Sequence, residues 1–173
     1  MTTPPDRSQP LRKQGHPHAR AARARKQAEA AEIGIDAAYI AAFIDQFYAR
    51  IREDAVLGPI FAARITDWGP HLARMNQFWR GVLLNSGEYS GNPMRLHTAI
   101  PGLNGEHFAR WLALFYATLD ELKADPQATG QVASRARMIA DSLLTGIAIQ
   151  RDGLGAGRVG DGLPRHRLDP MQT

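Results

Sequence analysis

Apolar side chains recur at spacings of three and four residues along the middle of the chain. Because 3.6 residues make one helical turn, this spacing places them on one face of a helix. The stripes comprise Ile40, Phe43, Ile44, Phe47, Tyr48 and Ile51; Leu72, Met75, Phe78, Trp79, Val82 and Leu83; and Phe108, Trp111, Leu112, Phe115, Leu119 and Leu122. No segment alternates with period two, so the pattern predicts an all-α body of about five helices.

One stretch of this body is irregular. Residues 85–93 (NSGEYSGNP) have the composition of a loop, and a short helix is predicted from Pro93 to about Ala99. Asn104 is a predicted cap for the long helix that follows, and Asp125-Pro126 is predicted to end that helix. The short helix between the two loops carries His97.

Charge and composition divide the chain into three parts. Residues 1–32 carry seven Lys/Arg and three Asp/Glu and are predicted to be a disordered basic extension, because residues 1–20 are rich in proline and poor in apolar side chains. The Ala-rich residues 20–32 could form a frayed helix within it. Residues 33–150, the predicted folded domain, carry ten basic and eleven acidic side chains. Residues 151–173 hold five Gly and two Pro and are predicted to be a flexible tail. The body therefore has no basic excess for nucleic acid, which makes that partner unlikely.

Several classes of protein are excluded or disfavoured by composition and motif. The absence of Cys excludes disulfide scaffolds, thiolate metal sites and cysteine nucleophiles. No apolar run reaches the ~18–20 residues of a membrane span, and no secretory signal is visible, so a cytoplasmic location is expected. Nucleotide-binding loops and the common hydrolase motifs are also missing.

The residues that could carry chemistry are two histidines and two aromatic side chains with polar atoms. His97 could ligate a metal or serve as a core histidine. His71 lies on an apolar face, where a hydrogen-bonded core histidine is the commoner case. Tyr48 and Trp111 are expected in the core by default. The many aromatic residues of the body could pack together or line a cavity for a large flat apolar ligand.

Four blocks of sequence carry a resemblance to a known family. They are FYARIREDAVLGPIF (47–61), WGPHLARMNQFW (68–79), YSGNPMRLH (89–97) and HFARWLALF (107–115). Their order and spacing closely resemble group III truncated haemoglobins across roughly residues 36–150. The resemblance implies a truncated globin fold, in which a two-over-two helical sandwich surrounds haem b.

The resemblance also implies roles for individual residues. His97 would be the proximal iron ligand, and Tyr48, His71 and Trp111 would face the bound ligand on the distal side. Phe61 would stack against the haem, and Arg95 would pair with a propionate. The expected haem wall consists of Met75, Phe78, Trp79, Leu96 and Met138.

The function implied is binding of O₂, NO or other small ligands at a pentacoordinate iron. Redox chemistry on NO or peroxide, as in an NO dioxygenase or a peroxidase-like enzyme, remains open, as does a reductase partner. One alternative is a haem-free helical module that binds an acidic partner through its basic N-terminal tail. Another is a non-haem metal protein that uses His71 and His97, although carboxylate ligands are lacking on the same faces.

Overall fold

The structure of the protein is a computed structural model, and it describes residues 17–154 and 159–170. Seven α-helices occur in these residues, and no strand does. They are α1 (Pro17–Glu32), α2 (Ala37–Glu53), α3 (Leu57–Ala62), α4 (Trp68–Leu84), α5 (Pro93–Thr98), α6 (Gly105–Glu121) and α7 (Pro126–Asp152). None of the described helices is long and apolar enough to cross a membrane.

Side-chain caps mark where the main helices begin. Asp36 accepts a hydrogen bond from the backbone N–H of Tyr39, and Asp67 accepts one from Gly69 at the start of α4. Asn104 caps α6, as predicted. Asp125-Pro126 was expected to end α6, which in fact ends at Glu121. Asp125 instead begins α7, because its carboxylate accepts the N–H of Gln127.

The helices form two layers around an aromatic core. α2 packs against α4 in one layer, α6 packs against α7 in the other, and α2 also contacts α6. Phe43, Phe47, Trp79 and Phe115 are almost fully buried where these helices meet. The Phe43 and Phe115 ring centroids lie 4.6 Å apart, and those of Trp79 and Phe115 lie 5.2 Å apart. This is the all-α, two-over-two arrangement expected from the sequence.

The second half of the N-terminal region forms a helix, which the Ala-rich composition of residues 20–32 had allowed. Residues 17–32 form α1, which contacts α4, whereas residues 1–16 lie outside the described residues. Lys26 and Gln27 donate hydrogen bonds to the carbonyls of Val82 and Leu84 at the end of α4. The last carbonyls of a helix have no partners within that helix. The hydrogen bonds from Lys26 and Gln27 satisfy two of them, and this stabilises the packing of the polar α1 on α4.

The C-terminal region differs from the predicted flexible tail. Residues 159–170, here called the C-terminal segment, pack on α6 and α7, whereas residues 155–158 and 171–173 lie outside the described residues. Buried Arg137 of α7 donates to the carbonyls of Gly160, Asp161 and Leu163. His166 of this segment is buried, and its Nε2 lies 3.1 Å from Oδ1 of Asp120.

Candidate functional site

The body encloses a cavity of about 530 Å³, lined by side chains from all six helices α2 to α7 and from the loops around α5. This volume lies within the usual range for small-molecule and cofactor sites. The cavity brings together nine residues expected from the sequence: Tyr48, Phe61, His71, Met75, Phe78, Trp79, Leu96, His97 and Trp111.

His97 is held in one orientation by the short helix α5. Asn92 caps this helix by accepting the N–H of Arg95, and Pro93 occupies its first turn. Nδ1 of His97 lies 2.7 Å from the carbonyl oxygen of Pro93. Because a carbonyl can only accept, Nδ1 must donate the hydrogen, and in the neutral imidazole this leaves the lone pair on Nε2. The side chain is therefore prepared to bind a metal through Nε2.

Tyr48 and Trp111 come from the α2 and α6 walls of the same cavity. Both pack on the buried ring of Phe47, at centroid distances of 5.0 and 5.3 Å. Burial raises the pKa of the Tyr48 hydroxyl, so this group keeps its proton and remains a hydrogen-bond donor. Trp111 adds an indole N–H, which can only donate.

His71 lies on α4, next to Tyr48 of α2. The centroids of the two rings are 5.2 Å apart, and their planes are nearly perpendicular. Burial, and secondarily the charge of Arg74, lowers the pKa of His71, so its imidazole is neutral near pH 7. Its Nε2 is buried and has no hydrogen-bond partner among the described residues. A buried polar atom without a hydrogen-bond partner raises the free energy of the folded protein. We therefore expect this nitrogen to form a hydrogen bond with a ligand or water in the cavity.

An aromatic stack supports the corner of the cavity. Phe61, at the end of α3, stacks on Trp68 at a centroid distance of 6.5 Å, and both rings also contact Tyr48. The Arg52 guanidinium covers Trp68 at 5.0 Å in a cation–π arrangement. The sequence did not single out Trp68 for the site. Its place at the first turn of α4 lets it hold Phe61, Tyr48 and His71 in position.

Two residues expected at the site do not line the cavity. Arg95 is exposed because it lies two positions before His97, about 200° around the same helix. Met138 is 47% exposed, and its neighbour Ile139 lines the cavity in its place. Both differences follow from the helical period, since the facing position lies one or two residues away.

Two other arginines, Arg64 and Arg74, are found at the cavity, where Arg95 was expected. They line the cavity, from the end of α3 and from α4. Arg74 follows His71 by three positions, so the two side chains share a helical face. The three-residue spacing from His71 could have identified Arg74 as a cavity residue from the sequence. Arg64 follows the last turn of α3, so no helical period could have identified it.

His107 of α6 also lines the cavity, and the sequence analysis had not included it among the candidate residues. Its Nδ1 lies 2.8 Å from Oδ1 of Asn104 in the capping box of α6. Apart from Tyr89, the further lining residues that were not predicted are apolar. Leu143 and Phe108 belong to helical stripes, whereas Ile100 and Leu103 lie in a loop where no period exists.

The residues present fit a haem. Within the described part of the chain, His97 has its Nε2 available, and His71 presents a buried Nε2 without a hydrogen-bond partner. Aromatic and aliphatic side chains form the walls for a flat apolar ring, and Arg64 and Arg74 offer guanidinium groups for carboxylates. Globin-type sites hold the iron through one proximal histidine of this kind.

Comparison with known proteins agrees with this reading. The chain matches no family model. It is 36% identical over 105 residues to a group 3 truncated hemoglobin, ctb, from Campylobacter jejuni, covering 58% of this chain and 82% of that protein. The crystal structure of a group III truncated hemoglobin from Campylobacter jejuni superposes with a TM-score of 0.62 and 34% identity, covering 65% of this chain and 91% of that one. The cavity, its histidines and these similarities together show that the chain belongs to the group III truncated haemoglobins.

Proposed function

We propose that this chain holds haem b in its cavity and binds O₂ or a related small ligand, such as NO, on the iron. The observation that carries the proposal is that one cavity is lined by His97 together with Tyr48, His71 and Trp111. His97 would hold the iron through Nε2. The other three side chains would surround the ligand site on a pentacoordinate iron.

Haem retention is supported by two kinds of contact. Phe61, Phe78 and Leu96 would pack against the faces and edge of the porphyrin, where burial of apolar surface contributes about 25 cal/mol per Å². Arg64 and Arg74 would pair with the two propionates, which would neutralise the cationic part of the cavity lining.

Haem would supply an iron that binds a diatomic ligand, and this ligand carries partial negative charge when it is O₂. Tyr48 and Trp111 are permanent donors, and neutral His71 can donate or accept. Donors aimed at such a ligand stabilise it and slow its release. This pocket therefore favours retention of the ligand, or chemistry on it, over rapid release.

An absorption experiment tests the proposal. The purified chain is supplied with haem and recorded in the ferric, ferrous and ferrous–CO states. We expect one haem per chain, a Soret band and a CO-dependent shift. His97→Gly should lose or alter these signals, and added imidazole should restore them by filling the vacated position.

His107→Gln is the matched control, because it removes another imidazole from the same cavity. Glutamine at the third helical position keeps a capping box, so α6 should still begin normally. This variant should retain the spectrum of the unaltered chain. Folded, helical protein that takes up no stoichiometric haem would overturn the proposal and favour the haem-free interaction module.

A further inference from the structure

The His71 imidazole is not held in its orientation by a hydrogen bond. Nδ1 of His97 bonds to the Pro93 carbonyl, and Nδ1 of His107 lies 2.8 Å from Oδ1 of Asn104. None of the hydrogen bonds among the described residues involves the ring of His71, and its buried Nε2 has no partner there. Packing must therefore keep this ring where it is.

Two aromatic rings supply direct packing contacts to His71. The ring centroid of Tyr48 lies 5.2 Å from that of His71, and the centroid of Trp68 lies 5.6 Å from it. Both planes are nearly perpendicular to the imidazole, which is an arrangement that aromatic pairs prefer. Tyr48 and Trp68 also contact each other, at 6.1 Å. The three rings therefore form one closed cluster.

Trp68 is the outer of the two rings that contact the imidazole. Tyr48 is only 5% exposed, whereas Trp68 and His71 are half-buried. Trp68 begins α4 and precedes His71 by three positions, so the two side chains share a helical face. The indole therefore occupies the solvent side of the cluster, which is the side toward which the imidazole would otherwise turn.

Trp68 is itself held by contacts that do not involve His71. Asp67 caps its helical turn by accepting the N–H of Gly69. The ring of Phe61, from α3, is stacked with the indole at a centroid distance of 6.5 Å. The guanidinium of Arg52, from the end of α2, lies 5.0 Å from the ring centroid. The indole is thus a fixed neighbour for the imidazole.

Without such a neighbour, the inward position of His71 would be unfavourable. A buried nitrogen without a partner raises the free energy of the folded protein, and a turn toward solvent would give it water. Staggered side-chain rotamers allow such a turn unless a neighbour blocks it. No charge attracts the ring inward, because Arg64 and Arg74 are cationic and no carboxylate is among the described residues that line the cavity.

We propose that Trp68 is a positioning residue that keeps the His71 imidazole in the cavity, where its Nε2 is available to a ligand on the haem iron. Trp68 does not line the cavity, so it acts through its direct contact with His71. The nitrogen is thereby oriented before the ligand arrives. The role toward a ligand rests on the proposed haem function, whereas the position of the imidazole does not.

The haem-free chain tests the position of His71 directly. Its imidazole signal is followed by NMR as the pH is changed, and His71→Leu assigns the signal. Burial and the charge of Arg74 hold the pKa of His71 below its ordinary value. In Trp68→Leu the ring should reach solvent, and this pKa should rise toward the ordinary value. The milder Trp68→Phe keeps a ring beside the imidazole, so its pKa should lie between those of the original chain and Trp68→Leu.

A double-mutant cycle in the haem-loaded protein tests the role toward the ligand. His71→Leu should speed O₂ dissociation by about 3- to 10-fold in the original chain, the factor that corresponds to one neutral hydrogen bond. In the Trp68→Leu background the same change should have less than about a twofold effect, because the imidazole has already left the ligand. A loss of general packing would not remove the effect of His71 in this way.

Phe78→Leu is the matched control for the NMR measurement. It also removes a half-buried ring from α4, but the ring contacts of Phe78 are with Trp79 and Tyr89. This control should leave the pKa of His71 unchanged. An unchanged pKa in both Trp68 variants, or an undiminished effect of His71→Leu in the cycle, would overturn this inference alone. Original chain that binds no haem would overturn the proposed function, and the NMR result would still decide whether Trp68 positions His71.

Discussion

Tyr48 and Trp111 line a mainly apolar cavity, where a hydrogen bond has little competition from water. Burial raises the pKa of the tyrosine, so its proton is available across the physiological range. Hydrogen bonds to charged groups contribute about 1.5–3 kcal/mol each. At the scale of single residues, these donors should decide how long a ligand stays bound.

Tyr48→Phe and Trp111→Phe should each speed O₂ dissociation by about 10- to 100-fold, since every 1.4 kcal/mol is a factor of ten. Stopped-flow dissociation kinetics measures this rate. Tyr39→Phe is the control, because it makes the same change on the same helix at a hydroxyl outside the cavity. Unchanged dissociation in both site variants would show that neither group contacts the ligand.

His71 gives a pH dependence with a definite sign. Its pKa in the folded protein is lowered by burial and by Arg74, so below pH about 6.5 the unfolded chain binds more protons than the folded one. The free energy of unfolding of the haem-free protein should therefore fall as pH drops through and below 6.5. His71→Leu should flatten this slope, as measured by urea unfolding between pH 5 and 7.5. An identical slope in both proteins would contradict the prediction.

Individual elements were predictable where the chain follows a helical period. The stripes of α2, α4 and α6 are local patterns, and caps such as Asn104 lie beside the turns that they complete. The C-terminal segment has no period, and its partner Arg137 lies 23 to 26 residues away. Composition suggests a tail there, because pairing over such a distance leaves no local signal.

Arg137 should account for much of the docking of the C-terminal segment. It is only 8% exposed and donates to three backbone carbonyls, which would lose their partner in Arg137→Met. The free energy of unfolding should fall by about 1–3 kcal/mol. Arg135→Met, an exposed arginine on the same helix, should change it little. Urea unfolding measures both, and equal effects would contradict the assigned role.

The whole molecule consists of a globin body and additional segments at its two ends. The residues that line the cavity all lie between Tyr48 and Leu143, and the similarity to the Campylobacter jejuni structure covers 65% of this chain. The positive charge lies mainly outside that body, since residues 1–32 have a net charge of +4 against −1 for residues 33–150. The ends therefore account for the net positive charge of the chain, and the body provides the residues of the cavity.

Removal of residues 1–32 should separate these two contributions. The shortened chain should take up haem with the same spectrum and stoichiometry, because no cavity-lining residue is lost. Its free energy of unfolding should fall by about 1–2 kcal/mol, since Lys26 and Gln27 no longer satisfy the last carbonyls of α4. Haem titration and urea unfolding measure the two effects.

A Lys26→Met/Gln27→Met variant of the full chain should reproduce the loss of stability without the change in charge at residues 1–25. If the shortened chain failed to bind haem while remaining helical, the site would depend on α1, and a body that forms its cavity alone would be ruled out.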